Sequence, residues 1–137
     1  MTAQHQNFIG GEWVSGPSEI ENRNPSDLSD LIGLFAQASG DQLEQALDQA
    51  RAAQAEWAAY GIERKYNALM AIGTEMIERA EELGTLLSRE EGKPMAEGKG
   101  EVYRAGQFFT YYAAETLRQM GENADSVRDG IEVDVRR

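Results

Sequence analysis

The strongest constraint on the fold is a helical repeat of apolar residues that begins at Ser39 and continues to Gly121. Apolar residues recur there at intervals of three and four, which places them on one face of a helix. Breaks in the repeat predict four helices: one opening at Ser39, a second over about 62–80, a short third ending at Gly92, and a fourth over about 95–120. Helices with a single apolar face need a partner surface, so we expect a helical layer that covers another layer.

The ends of these helices carry recognisable capping residues. Ser39 and Gln42 have the spacing of a capping box. Gly92 can adopt a left-handed cap, Pro94 prevents continuation, and Gly121 is the predicted stop of the last helix. The residues predicted to face a core are Leu43, Ala46, Leu47, Ala50 and Trp57; Tyr66, Leu69, Met70, Gly73, Met76 and Ile77; Leu83, Leu86 and Leu87; and Val102, Ala105, Phe109, Tyr112, Thr116 and Leu117.

Strand patterns lie on either side of the helical repeat. Residues 1–38 predict a small β-meander: a hairpin over 7–14 that turns at two glycines, then two runs, 19–24 and 31–36, around a turn-rich connection. Near the other end, Ile131, Val133 and Val135 alternate with charged residues, the period of a half-buried strand. No local partner is evident for that strand, so we expect the polypeptide to continue beyond Arg137.

Composition argues against several classes of partner. The chain has 24 acidic and 13 basic residues, a net charge of -11 that repels phosphate backbones and anionic membrane surfaces. It contains no cysteine, so it offers neither a disulfide nor a thiolate nucleophile. The start is polar and no apolar run approaches the length of a membrane span. We therefore expect a soluble, cytoplasmic protein that binds neither nucleic acid nor membrane.

No constellation of catalytic or metal-binding residues is evident. His5 is the single histidine and lies in a polar terminus. The glycine–lysine stretches at Gly92 and Gly98 lack the Ser or Thr and the preceding strand of a phosphate-binding loop. No dinucleotide fingerprint follows a strand. The pair Glu97 and Glu101 is read as a solvated acidic face, so we predict no catalytic, cofactor-binding or metal-ligating residue in this chain.

Aromatic residues cluster on the fourth predicted helix, and one arginine precedes them. Core packing is the favoured interpretation of Phe108, Phe109, Tyr111 and Tyr112. Arg104 lies one turn earlier and has two possible roles. It can bind a carboxylate beside an apolar pocket, or it can face solvent and pair with Glu101 or Glu97, and helical spacing favours the second role.

Read in order, the whole chain resembles the start of an aldehyde dehydrogenase. The resemblance lies in the initial hairpin, the turn that contains Asn24-Pro25, the helix that carries Trp57, the E-x-G-K-P turn at 90–94 and the final aromatic helix. No one motif is decisive, but their order matches that of the family. The matching stretches include FIGGEWV, NPSDLSDLIGLFAQAS, IERKYNALMAIGTEMIERAEELGTLLSREEGKPMAEGKGEV, RAGQFFTYYAAETLRQMGE and GIEVDVRR.

The resemblance implies an α/β fold of which this chain is the helix-dominated N-terminal part. Residues 1–121 would belong to the cofactor-binding domain, with the β-meander over 1–38 and the helical layer over 39–121, and residues 122–137 would start an oligomerisation arm. The complete enzyme would bind NAD or NADP, form a thioester through a cysteine and hydrolyse it with a glutamate-activated water. Those residues belong to the catalytic part that this chain lacks, so the partners implied are the remaining polypeptide, a small-molecule aldehyde and further copies of the enzyme.

The resemblance also implies one site, because the family helix matching the fourth helix lines the substrate tunnel. Gly100 and Arg104 are the candidate tunnel residues, and the sequence looks most like members that oxidise α-ketoglutaric or succinic semialdehyde. Two alternative functions stay open for this chain: a non-enzymatic helical interaction module derived from the same family, and a small enzyme of another type. Made alone, the segment is expected to be inactive and to fold weakly or self-associate, because its helices would expose apolar patches.

Overall fold

The computed structural model describes residues 3–118 and 120–136, so Met1, Thr2, Gln119 and Arg137, and the parts of the predictions that include them, lie outside it. Four helices occur in the described part, as predicted. The elements are β1 (Gln4–His5), β2 (Asn7–Ile9), β3 (Glu12–Val14), β4 (Ser18–Arg23), β5 (Leu31–Gln37), α1 (Gly40–Ala59), α2 (Ile62–Glu78), α3 (Ala80–Glu91), α4 (Met95–Thr116), β6 (Glu122–Asp125) and β7 (Glu132–Val135).

The strands before α1 confirm both predicted pairs but divide them between two sheets. Strands β2 and β3 form the hairpin, and Gly10 and Gly11 take φ values of 61° and 90° in its turn. Strands β4 and β5 pair antiparallel, and β1 adds a parallel strand to the other edge of β5. The expected β-meander is therefore present as two pieces. Between the β2–β3 hairpin and β4, the chain passes close to the end of β5. A Cβ on Gly16 would lie 1.9 Å from the Gln37 carbonyl oxygen, so this close approach requires a glycine.

Helix α1 begins with the predicted capping box and lies apart from the other helices. The Gln42 N–H donates to the Ser39 hydroxyl, and the Ser39 N–H donates to the Gln42 side-chain oxygen. A second bond from Gln42 to the Ser15 carbonyl holds the helix against the β2–β3 hairpin. The apolar stripe predicted to face a core stays largely uncovered, since Leu43 is 57% and Trp57 43% exposed.

Helices α2, α3 and α4 form the helical core, and glycines set how closely they pack. A Cβ on Gly73 would lie 2.8 Å from the Gly106 carbonyl oxygen, and a Cβ on Gly106 would lie 2.8 Å from the Gly73 carbonyl oxygen. Gly84 and Gly98 meet in the same way at the α3–α4 crossing, where a Cβ on Gly98 would lie 2.6 Å from the Gly84 carbonyl oxygen. Each crossing therefore brings backbone against backbone, which only residues without side chains permit.

The buried stripe of α4 differs from the predicted one. Gly98, Val102, Gly106 and Ala113 are buried, whereas two residues predicted to face the core, Tyr112 and Leu117, are 59% and 47% exposed. The difference arises because α4 packs against α2 and α3 through Gly106 and Gly98, so the side of the helix that carries these small residues is the one that is buried. Helix α4 also ends at Thr116, with Leu117 as its C-cap, four residues before the predicted end at Met120.

The predicted last strand is confirmed as β7, but the expectation that it lacks a local partner is wrong. It pairs antiparallel with β6, whose sequence Glu122–Asp125 is polar and shows no alternation. Every residue of the two strands is exposed. Val133 lies opposite Ala124, and Asp134 lies opposite Asn123, so the hairpin has one apolar and one polar face.

Candidate functional site

The candidate site is the outer face of α4, which we define as Glu97, Gly100, Glu101, Arg104, Phe108, Tyr111 and Tyr112. Because Gly98, Val102, Gly106 and Ala113 are used against α2 and α3, these seven residues are left on the opposite side of the helix. All seven are exposed within the described part of the chain. The packing of the inner face thus determines which side chains are available to a ligand.

Two adjoining grooves run along this outer face. One, of about 530 Å³, is lined by Glu97, Gly100, Glu101, Arg104 and Phe108, together with Ala105. The other, of about 250 Å³, begins at Arg104 and continues along the aromatic side chains. Arg104 and Phe108 line both grooves, so a cationic group lies where a groove that contains Glu97 and Glu101 meets one lined by aromatic side chains.

The two residues singled out from the sequence lie together on this surface. Gly100 and Arg104 are one helical turn apart and line the same groove. A Cβ on Gly100 would have no atom within 4 Å, so the space above this residue is open. The side chain of Arg104 therefore lies beside an open part of the surface, where no described residue blocks the approach of a ligand.

The structure settles the question of an ion pair between Arg104 and the nearby glutamates. Within the described residues Arg104 makes no hydrogen bond or ion pair. Glu101 instead receives two hydrogen bonds of 2.7 Å from Lys93. The solvent-facing pair between Arg104 and Glu101 or Glu97 is therefore absent, and the guanidinium group keeps all its donors for another partner.

Lys93 is the residue of this region whose importance the sequence analysis missed. Its side chain is only 16% exposed and also contacts Glu91 at 2.5 Å. Hydrogen bonding to Glu101, and then to Glu91, raises the pKa of Lys93 above its ordinary value. The E-x-G-K-P turn pointed to this position, but we used that turn only as a mark of family resemblance.

Polar contacts hold this turn, and with it the start of α4, against the β-sheet part. Gly92 adopts the predicted left-handed conformation, with φ of 69°, and its carbonyl accepts a hydrogen bond from Ser26. One residue pair adds a bidentate contact, since Arg89 donates to the two carboxylate oxygens of Asp30 at 2.6 and 2.9 Å. The hydrogen bond from Arg89 lowers the pKa of Asp30 below its ordinary value.

The aromatic residues contradict the interpretation that they pack in the core. Phe108, Tyr111 and Tyr112 are 57%, 60% and 59% exposed, and only Phe109 of the cluster is half-buried. The rings of Tyr111 and Tyr112 meet edge to face, with centroids 5.3 Å apart. An unpaired guanidinium beside aromatic surface is suited to a ligand with a carboxylate and an apolar body.

Other regions of the described chain show fewer features of a binding or catalytic site. His5 stacks on Phe35 with ring centroids 4.4 Å apart, and no group of three or more potential metal ligands occurs in residues 3–118 and 120–136. Where β5 leads into α1, the capping box already uses the Gln42 N–H, so this donor is not available to a phosphate. None of the described helices is long and apolar enough to cross a membrane.

Comparison with known proteins adds independent findings. Residues 13–137 match the aldehyde dehydrogenase family. An alpha-ketoglutaric semialdehyde dehydrogenase of Bacillus subtilis (strain 168) is 32% identical over 118 residues, which are 85% of this chain and 24% of that protein. The chain thus spans about a quarter of the length of the curated relatives it matches.

Solved structures show the same fold. A crystal structure of an aldehyde dehydrogenase from Brucella melitensis biovar abortus 2308 superposes with a TM-score of 0.86 and 27% identity, covering 94% of this chain and 27% of that one. The structure of an NADP-dependent glyceraldehyde-3-phosphate dehydrogenase from Bacillus halodurans C-125, complexed with NADP, gives a TM-score of 0.86 at 27% identity over 93% of this chain and 27% of that one. The described α/β architecture therefore matches the N-terminal part of such enzymes.

Proposed function

The chain belongs to the aldehyde dehydrogenase family, and we propose that it is the N-terminal segment of a cytoplasmic oxidoreductase that converts an aldehyde to a carboxylic acid with NAD or NADP. The similarity of residues 13–137 to this family supports the activity. In this proposal residues 1–121 form part of the cofactor-binding domain and residues 122–137 begin an oligomerisation arm.

We propose that the chain itself supplies no group for the chemical step. It contains no cysteine, and no dinucleotide fingerprint follows a strand in its sequence. The thiol, the activating carboxylate and the cofactor site are therefore proposed to lie in polypeptide that is not part of this sequence. We expect the 137-residue chain alone to leave NAD and NADP unreduced in the presence of any aldehyde, which absorbance at the reduced-cofactor band would test.

We further propose that the substrate is a semialdehyde with a distal carboxylate, held by Arg104 above the opening at Gly100. The observation that carries this proposal is the unpaired guanidinium of Arg104 between the two grooves. The similarity to an alpha-ketoglutaric semialdehyde dehydrogenase supports the same substrate class. A hydrogen bond to a charged group contributes about 1.5–3 kcal/mol, enough to select a carboxylated aldehyde over a neutral one.

Steady-state kinetics of the full-length enzyme test this role. Replacing Arg104→Met keeps the length of the side chain and removes its charge. We expect KM for a carboxylated semialdehyde to rise about ten- to hundredfold, the equivalent of one lost charged hydrogen bond, while KM for a neutral aldehyde stays unchanged. Arg118→Met is the matched control, because Arg118 is exposed and pairs with Glu115 near the end of α4. Equal effects on both substrates would reject the carboxylate role.

The proposal also assigns partners to the uncovered apolar surfaces. The stripe of α1 with Leu43, Leu47 and Trp57 is assigned to the remaining polypeptide of the enzyme, and the apolar face of the β6–β7 hairpin to another subunit. Sedimentation of the full-length protein tests the second assignment. Val133→Ser should weaken the oligomer, whereas Asp134→Ser, on the polar face of the same strand, should leave it intact. An unchanged sedimentation coefficient for both variants would contradict the assignment.

A further inference from the structure

Lys93 and Arg104 are two cations near the same glutamate: Lys93 is bonded to Glu101, and Arg104 lines the same groove as Glu101. Glu101 precedes Arg104 by three residues, the spacing at which opposite charges pair along a helix. Yet the Glu101 carboxylate lies 2.7 Å from the Lys93 amine through each oxygen, and the contact spans the turn between α3 and α4. The Lys93 side chain is largely buried, which fixes its amine at this point.

We infer that Lys93 is a positioning residue that holds Glu101 away from Arg104 and so keeps the Arg104 guanidinium free for a substrate carboxylate. The inference rests on the proposed function of Arg104 and adds to it a means of setting the affinity of the site. Lys93 acts through Glu101 and does not itself touch the substrate.

The negative charges that line the groove explain why the contact between Lys93 and Glu101 affects substrate binding. Glu97 and Glu101 both line the groove that contains Arg104, and both repel an anionic ligand. Lys93 pairs with one of them, Glu101, while it also contacts Glu91 outside the groove lining. Without Lys93, Glu101 would be free to pair with Arg104, which lies three residues further along the helix and lines the same groove. The Glu101 carboxylate would then compete with the substrate carboxylate for the Arg104 guanidinium.

Kinetics of the full-length enzyme with Lys93→Met test the inference. We expect KM for a carboxylated semialdehyde to rise about three- to fivefold, as for one exposed ion pair, while kcat and KM for a neutral aldehyde stay unchanged. Lys99→Met is the matched control, because Lys99 also lies at this end of α4 but pairs with Glu81 of α3, away from the groove. An equal rise in KM for both variants would overturn the inference.

A double variant separates positioning from simple structural support. Glu101→Gln removes the charge that would compete for Arg104, so Lys93→Met combined with Glu101→Gln should return KM to the value of the unmodified enzyme. If Lys93 merely tied α3 to α4, the second substitution would remove the rest of that tie and could not restore binding. Failure of this rescue would count against the inference.

A crystal structure of the Lys93→Met variant gives a readout that needs no activity. The Glu101 carboxylate should lie within about 4 Å of the Arg104 guanidinium, the distance of an ion pair. A Glu101 side chain that stays away from Arg104 would overturn the inference even if Arg104→Met confirms the carboxylate site. The opposite outcome is also possible. If Glu101 moves onto Arg104 in the Lys93→Met structure, but neither Arg104→Met nor Lys93→Met loses selectivity for the carboxylated substrate, the proposed function is rejected. The role of Lys93 in positioning Glu101 would then still stand.

Discussion

The two faces of α4 use the same residue type for opposite purposes. A Cβ on Gly98 would lie 2.2 Å from the Ser88 hydroxyl and 2.6 Å from the Gly84 carbonyl oxygen, whereas a Cβ on Gly100, two residues further, would meet nothing within 4 Å. Gly98 brings two helices together, and Gly100 leaves room on the groove. The chemistry of the outer face therefore depends on packing at the inner face, which keeps Arg104 turned outward.

The largest effect is expected at Ala113, which lies on the inner face of α4 and is 0% exposed. Ala113→Leu adds three carbon atoms where there is no space, so we expect the free energy of unfolding to fall by about 3 kcal/mol, the upper part of the range for overpacking. Urea unfolding of the protein that carries this chain measures the change. An unchanged midpoint would show that α4 does not pack as tightly as described.

Gly98→Ala should have the next largest effect and the same sign. The new methyl group would push against the Gly84 backbone, while the gain in helix propensity offsets part of the cost, so we expect a net loss of about 1–2 kcal/mol. Hydrogen exchange of the α3 and α4 amides locates the effect, since exchange should accelerate at this crossing. Protection unchanged at both helices would mean that the α3–α4 contact is looser than the backbone distance indicates.

Local signals predicted much of this fold. Ser39 with Gln42, the Gly10–Gly11 turn and the left-handed Gly92 each determine structure through neighbours in sequence, and all three predictions are confirmed. Strands β1 and β6 were missed because neither has an alternating pattern. The pairing of β1 depends on the distant strand β5, where His5 stacks on Phe35, and the pairing of β6 depends on the adjacent strand β7.

The candidate site was predictable only in part, for a similar reason. Family resemblance indicated Gly100 and Arg104, but the sequence left two possible roles for Arg104: binding a ligand carboxylate, or pairing with Glu101 or Glu97. The choice between them depends on Lys93, eight residues before Glu101, and the turn at Gly92 brings these two side chains together. The exposure of Tyr112 was unpredictable because the apolar pattern gave no sign that glycines would set the contact face.

Gly100→Ala should reverse the sign of the effect seen at Gly98. With no neighbour for the new methyl group, the substitution removes the entropic cost of a helical glycine, and we expect stability to rise by about 0.5–1 kcal/mol. Thermal unfolding measured beside Gly98→Ala gives a direct comparison of the two faces. Destabilisation at both positions would show that Gly100 is covered and that the groove is not open above it.

The smallest effect is expected at Tyr112, next to Ala113 but on the outer face. Tyr112 is 59% exposed, so Tyr112→Leu should change the free energy of unfolding by no more than about 0.5 kcal/mol, as for other surface substitutions. The same measurement on the full-length protein sharpens the comparison of the two faces. If the remaining polypeptide packs directly on the aromatic side chains, Tyr112→Leu will destabilise that protein in the range of a core substitution. A neutral result there would support an outer face that lines an open groove, as the proposed role of Arg104 requires.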